Sequence, residues 1–288
     1  MEGTGVPLVT PFDVNGNVDE LKLRGIVKWV EKGGVDFIVP CGSNSESELM
    51  TLEERSRVVE IVVETASVPV LAGTGHPGLR ETVIQTELAA DAGADSALVV
   101  TPFYFIHTQE AIAAYYEELS DLVSIPIYLY SVPKFTNVVL DPGTAKILAK
   151  NKNIKGMKDS GGNLEIFQQE VELTDGDDFN MLVGSGGIYA DALRSGASGG
   201  VLALANIAPE KCSEIYRLHR EGDNENAKKI NDSLMGLNQA VTGTYGVPGL
   251  KAAMNMRGAP AGFCRSPHRE SESEAKSSLQ KMIQELGL

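Results

Sequence analysis

VPVLAGTGHPGLRETVIQTELAADAGADSALVVT, residues 68–101, holds the fold in miniature. Residues 68–72 form a short apolar, β-branched run. Residues 80–92 carry the apolar spacing of an amphipathic helix, Gly93 stands where a helix C-cap favours glycine, and residues 96–101 form a second apolar run. Neither run alternates apolar with polar residues, so both faces of each strand are covered. That is the pattern of parallel strands joined by a crossing helix.

The unit recurs along the chain. Strands are expected at residues 5–10, 35–40, 68–72, 96–101, 126–130, 154–158, 179–183 and 200–204. Helices are expected between them at 19–32, 51–65, 80–92, 108–122, 142–150, 164–173 and 188–195, and Thr51 with Glu54 forms a Thr-x-x-Glu capping box. Eight successive βα units predict a (β/α)8 TIM barrel of the α/β class. A doubly wound sheet is the weaker reading, because no G-x-G-x-x-G follows the first strand. Beyond Pro209 only helices are expected, at 210–220, 224–242, 250–256 and 271–286. The division is therefore a barrel over 1–222 and a helical region over 223–288 packed on it.

Composition narrows the function classes. Of 288 residues 42% are hydrophobic and 22% charged, which supplies a core and excludes a disordered chain. No apolar run is long enough to span a membrane, and no basic segment followed by an apolar stretch predicts a signal peptide. Twenty-five Lys and Arg against 39 Asp and Glu leave a net charge of −14, which argues against a nucleic-acid partner. Cys41, Cys212 and Cys264 have no paired spacing, so neither a disulfide framework nor a zinc site is predicted, and a reducing cytoplasm is the expected compartment. The four histidines form no H-x-x-x-H pattern, and no metal or organic cofactor is expected.

In a barrel of this kind chemistry belongs at the C-terminal ends of the strands. The sixth strand ends Gly156-Met157-Lys158-Asp159-Ser160-Gly161-Gly162. Ile154, Gly156 and Lys158 share one strand face. If that face points inward, burial disfavours the ammonium, and a neutral amine attacks carbonyls as a Schiff-base nucleophile. A strand-end lysine more often simply reaches solvent; its company marks this one. Tyr130 ends the neighbouring strand, on the face shared with Tyr128, and a phenol beside an amine moves the protons that imine formation and carbon–carbon cleavage require. Its plainer reading is a core tyrosine. Ser43 and Asn44, directly after the second strand, are small donors suited to orienting that tyrosine or gripping a 2-oxo acid carboxylate, against a plainer role as a helix N-cap cluster. Ser160 closes the sixth-strand motif as a further substrate-binding candidate.

Five motifs in order, Gly5-Val6-Pro7-Leu8-Val9-Thr10-Pro11-Phe12, Gly42-Ser43-Asn44, Thr101-Pro102-Phe103-Tyr104, Tyr130-Ser131-Val132-Pro133 and Gly156-Met157-Lys158-Asp159-Ser160, resemble the pyruvate-dependent class I aldolases of the dihydrodipicolinate synthase and N-acetylneuraminate lyase superfamily. The likeness runs over nearly the whole chain. It implies a homotetramer of barrels in which pyruvate, or the pyruvyl end of a 2-oxo acid, forms an imine with Lys158. It further implies Tyr130 as general acid and base, Ser43 in the proton relay, and Tyr104 completing a hydroxyl relay in a neighbouring subunit's site. The backbones of Gly184 and Val201 would line the pyruvate pocket.

The departures bear on substrate. Where the synthases carry an arginine shortly after the Tyr-x-Val-Pro turn, this chain has Phe135, so a bidentate carboxylate clamp is missing and neighbouring Lys134 is a poorer point charge. The Ser43-Asn44 pair, Ser131 and the tail Gly249-Leu250-Lys251 through Phe263-Cys264-Arg265 resemble the 4-hydroxy-2-oxoglutarate aldolases, although Ser45 stands where glycine is usual there. The expected activity is cleavage of 4-hydroxy-2-oxoglutarate to pyruvate and glyoxylate. Behind it stand 2-keto-3-deoxy sugar acids such as ketodeoxygluconate, then the synthase reaction, with a dehydratase on the same imine also open. The rival of another class is a non-catalytic 2-oxo acid sensor. Among weaker signals, Gly184-Ser185-Gly186-Gly187 is read as a tight turn over the pyruvyl carboxylate before a phosphate cradle, His76 and His107 as loop residues, and Cys41 as a small apolar residue.

Overall fold

The computed structural model describes residues 1–288. In chain order run β1 (Gly3–Pro7), α1 (Glu20–Lys32), β2 (Phe37–Val39), α2 (Leu52–Thr65), β3 (Leu71–Gly73), α3 (Leu79–Asp91), β4 (Ser96–Val100) and α4 (Gln109–Leu122). Then come β5 (Ile127–Ser131), a single turn α5 (Pro133–Thr136), α6 (Pro142–Leu148), β6 (Ile154–Asp159), α7 (Leu164–Thr174), β7 (Asn180–Val183), α8 (Tyr189–Arg194) and β8 (Gly199–Val201). Five helices follow: α9 (Pro209–Arg220), α10 (Asn224–Ser233), α11 (Met235–Gln239), α12 (Gly246–Met256) and α13 (Ser273–Glu285).

All strand pairs are parallel, in the order β2-β1-β8-β7-β6-β5-β4-β3. A single parallel bridge between Ile38 and Val70 joins β2 to β3 and closes the ring. The molecule is a (β/α)8 barrel with a C-terminal helical part. No helix is long and apolar enough to cross a membrane.

Strand alternation builds two cores. Inward residues Phe37, Val39, Leu71, Leu98, Tyr128, Tyr130, Leu182 and Val201, joined by Val132, fill the barrel. Outward residues meet the helices in one larger core, which also takes Leu250, Leu279 and Ile283 from the C-terminal region. Gly156 lies beside Tyr128, whose ring would meet a Cβ there at 2.4 Å, so β6 is glycine where β5 is aromatic. The base is plugged: the Met1 amine donates to the Tyr128 hydroxyl at 2.5 Å, and that hydroxyl donates to Asn180 Oδ1 at 3.0 Å.

The expected elements are present, with shifted ends. β1 stops at Pro7 because Val9 N–H donates to Asn206 Oδ1 at 3.2 Å, outside the ladder; the Asn206 amide in turn donates to Pro7 O at 2.9 Å. The same contact ends β8 early, in a 3₁₀ turn over Ala203–Asn206. The single helix expected over 224–242 is instead α10, α11 and a π turn over Ala240–Thr244. Asn231 ties the end of α10 to the barrel, accepting from Ala190 N–H at 2.8 Å and donating to Gly186 O at 3.0 Å, and Gly236 just beyond is a weak helix former.

Candidate active site

Every strand, or the loop directly after it, sends a residue to one cavity of about 900 Å³ at the C-terminal mouth: Pro7, Cys41, Gly73, Val100, Tyr130, Lys158, Gly184 and Val201 among them. Lys158 is the inward residue of β6, as the period-2 reading expects, paired in register with Tyr130 on β5 and Leu182 on β7. Only 5% of Lys158 and 6% of Tyr130 is exposed. Lys158 Nζ lies 4.2 Å from the centre of the Tyr130 ring. No carboxylate pairs with this amine, so its approach to a carbonyl is unobstructed by an ion pair.

Gly184 makes that placement possible. A Cβ there would lie 1.9 Å from Ser160 Oγ and 2.9 Å from Lys158 Cε, so the lysine and Ser160 fill the space a side chain would need. Ser43 Oγ and the Tyr130 hydroxyl are 3.5 Å apart, at the outer limit of a hydrogen bond. The turn that carries Ser43 and Asn44 is a 3₁₀ turn over Ser43–Ser45, and both residues line the cavity. Ser45 fits this turn without being glycine because its hydroxyl donates to Leu8 O.

Thus Lys158, Tyr130, Ser43, Asn44, Ser160, Gly184 and Val201 come together. Tyr104 does not. It is 87% exposed, with φ +81°, and stacks edge-on against Phe105 away from the cavity. His76 and His107 lie outside the lining as well. Cys41 is buried beneath it, and burial pushes its thiol up to about 11, which suits a packing residue better than a nucleophile.

Several lining residues were invisible in the sequence. α11 and the π turn bring Asn238, Gln239, Thr242 and Thr244 over the mouth, beside Lys134 and Phe135. Lys134 Nζ is engaged with Thr242 O at 2.8 Å. Arg55 is buried in the wall and donates to Gly73 O and Gly75 O, each at 3.3 Å. Glu46, with left-handed φ +57°, turns its carboxylate into the interior, where Lys251 Nζ at 2.5 Å and His268 Nδ1 at 2.9 Å meet it. Beside the lysine, burial raises the Asp159 carboxyl to about 6, and burial together with the nearby Asp159 charge raises Glu170 to about 9.

The model of the Dihydrodipicolinate synthetase family matches residues 1–286. A 4-hydroxy-tetrahydrodipicolinate synthase of Bartonella bacilliformis is 36% identical over 286 residues, covering 98% of this chain and 96% of that protein. An uncharacterized DapA-like lyase of Halobacterium salinarum is 34% identical, covering 100% and 95%. Among solved structures, YagE, a prophage protein of the dihydrodipicolinic acid synthase family from E. coli K12 in complex with pyruvate, superposes with a TM-score of 0.96 at 28% identity, covering 100% of this chain and 99% of that one.

Proposed function

The chain belongs to the dihydrodipicolinate synthetase family and is a carbon–carbon lyase, and from that premise we propose that it cleaves and forms a 2-oxo-4-hydroxy acid through an imine on Lys158, with pyruvate as the constant product. The observation that carries the reading is the buried Lys158 amine over the Tyr130 ring. Nζ adds to C2 of the 2-oxo acid, a proton passes from Nζ to the former carbonyl oxygen, and the Tyr130 phenol protonates that departing hydroxyl, so that water leaves and the protonated imine faces a Tyr130 phenolate. Tyr130 oxygen takes the proton of the C4 hydroxyl, the C3–C4 bond breaks, and its electron pair becomes the C2–C3 double bond of an enamine while the aldehyde leaves. Tyr130 returns the proton to C3, and water then releases pyruvate and the free amine. Ser43 orients the phenol; Asn44, Ser160 and the backbones at Gly184 and Val201 hold the carboxylate end. Tyr104 fits this scheme only through a second copy of the chain, consistent with a homotetramer as the working unit.

The lining supports a neutral, hydroxylated aldehyde. Phe135 offers no charge, Lys134 is bonded to Thr242 O, and Asn238, Gln239, Thr242 and Thr244 are uncharged hydrogen-bonding groups. A second carboxylate, as in 4-hydroxy-2-oxoglutarate, would meet at this wall only the single ammonium of Lys134, already donating to Thr242 O, and no bidentate arginine clamp, and none of the relatives described above is named for that substrate. On the uncharged lining alone, since none of those relatives is named for a sugar acid either, we place the 2-keto-3-deoxy sugar acids first. The synthase reading is favoured by the name of the Bartonella relative, and Phe135 speaks against it.

Pyruvate release measured with lactate dehydrogenase separates these readings. Ketodeoxygluconate is expected to give a higher kcat/KM than 4-hydroxy-2-oxoglutarate. Condensation of pyruvate with aspartate semialdehyde outrunning both cleavages would instead establish the synthase. Phe135→Arg should improve that condensation, and no gain would show that the missing clamp does not set specificity.

A further inference from the structure

Ser43 and Asn44 sit on a stretch that belongs to no strand and no α-helix. Between β2 and α2 the chain makes two 3₁₀ turns, Ser43–Ser45 and Ser47–Leu49. Cys41 before them and Glu46 between them are both left-handed, each with φ +57°. Residues other than glycine keep that conformation only where their surroundings hold them. Much of what holds this stretch comes from the far end of the chain.

Glu46 N–H donates to Ser43 O at 3.2 Å, which couples Glu46 to the first turn. The Glu46 side chain is wholly buried, and the Lys251 side chain is only 2% exposed. Lys251 Nζ, from α12, donates to Glu46 Oε1 at 2.5 Å and to Phe263 O at 2.7 Å. Arg265 N–H donates to Glu46 Oε2 at 3.0 Å. The Arg265 guanidinium donates to Leu49 O at 2.9 Å, at the end of the second turn, and to both Glu54 carboxylate oxygens at 2.6 Å. Two residues of the C-terminal region thus grip the stretch at Glu46, Leu49 and Glu54. Ser43 Oγ, three residues before the buried carboxylate, is 3.5 Å from the Tyr130 hydroxyl. A contact at that limit is lost when the turn shifts by a few tenths of an ångström.

We infer that Glu46 and Lys251 are positioning residues for the proton relay: their buried ion pair fixes the turn so that Ser43 stays within reach of the Tyr130 hydroxyl. The C-terminal region thereby completes the catalytic machinery of its own barrel. The inference rests on the Lys158 imine and the Ser43–Tyr130 pair proposed above. Both residues act through Ser43.

Exchange of the pyruvate methyl hydrogens in heavy water reads the relay without an aldehyde partner. On the imine, Tyr130 oxygen takes a C3 proton, the C–H electron pair becomes the C2–C3 double bond of the enamine, and the C=N pair moves onto nitrogen. Return of a deuteron to C3 reverses the step. Borohydride trapping of the pyruvate adduct counts working sites, so the readout is the exchange rate per trapped site at saturating pyruvate. Glu46→Gln keeps the side-chain shape. Glu46→Gln combined with Lys251→Met removes both charges together, leaving no buried charge uncompensated. Each should lower exchange per site about tenfold through the displaced turn. Neither should lower it further once Ser43 is replaced in Ser43→Ala, because the effect runs through that hydroxyl. Fewer trapped sites with unchanged exchange at each, or an equal further fall in the Ser43→Ala background, overturns the inference and leaves the pair as a support for the fold. If the unaltered protein forms no borohydride-reducible adduct with pyruvate, the Lys158 reading falls first and this inference falls with it.

Discussion

Gly184 has no side chain because Lys158 and Ser160 already fill that volume. Gly184→Ala is expected to displace the amine and slow pyruvate adduct formation about 10²-fold, the scale of loss that small misplacements bring; an unchanged rate would mean that the lysine reaches substrate by another path. Tyr130→Phe keeps the ring under Nζ and removes only the hydroxyl. Turnover should fall by about 10²–10⁴ with adduct formation less affected, whereas undiminished turnover in a steady-state assay would remove the phenol from the proton relay. Lys158 and Tyr130 were legible because side chains alternate along a strand and both are two residues from an interior neighbour of known type. Glu46 and His268 were not. Their contact spans 222 residues, and Lys251 lies 205 residues from Glu46, so no local spacing records them.

At the scale of elements, α2 behaves as read: Thr51 Oγ1 accepts from Glu54 N–H at 3.3 Å and Thr51 N–H donates to Glu54 Oε2 at 2.9 Å. A capping box is written within four residues and needs no tertiary partner. The break between α10 and α11 depends on Asn231 reaching the β7–α8 turn, so helical periodicity ran straight through it. The packing of α7 on the barrel carries a pH dependence. Glu170 on α7 is buried, and burial with the Asp159 charge raises its carboxyl from 4.5 to about 9. A raised carboxyl is protonated in the folded chain while it ionises unfolded. Its contribution is therefore fully present below 4.5 and is lost progressively as pH climbs through about 9. Glu170→Gln should remove this slope. Its melting temperature is expected to gain on that of the unaltered chain as pH rises from about 5 to about 9; parallel curves would place Glu170 in a solvated setting.

At the scale of the molecule, eight strand–helix repeats announced the barrel, because each unit states its own period. Packing of the C-terminal region on the barrel was expected, but the contacts that seat it at the mouth were not announced, since they are single long-range ones. Lys251 on α12 is the chief of these, buried against Glu46 and lying 4.6 Å from the centre of the Phe12 ring. Lys251→Met leaves a buried carboxylate uncompensated and should cost about 3–5 kcal/mol in chemical denaturation. A cost under about 1 kcal/mol would mean that water reaches Glu46.

The central claim is that one buried amine among the chain's lysines carries the chemistry. Treatment with pyruvate and borohydride, followed by proteolysis and mass spectrometry, tests it directly. A reduced pyruvyl group confined to the peptide containing Lys158 is the expected result; an unmodified Lys158 peptide, or pyruvyl groups spread over exposed lysines such as Lys152 and Lys281, would contradict it.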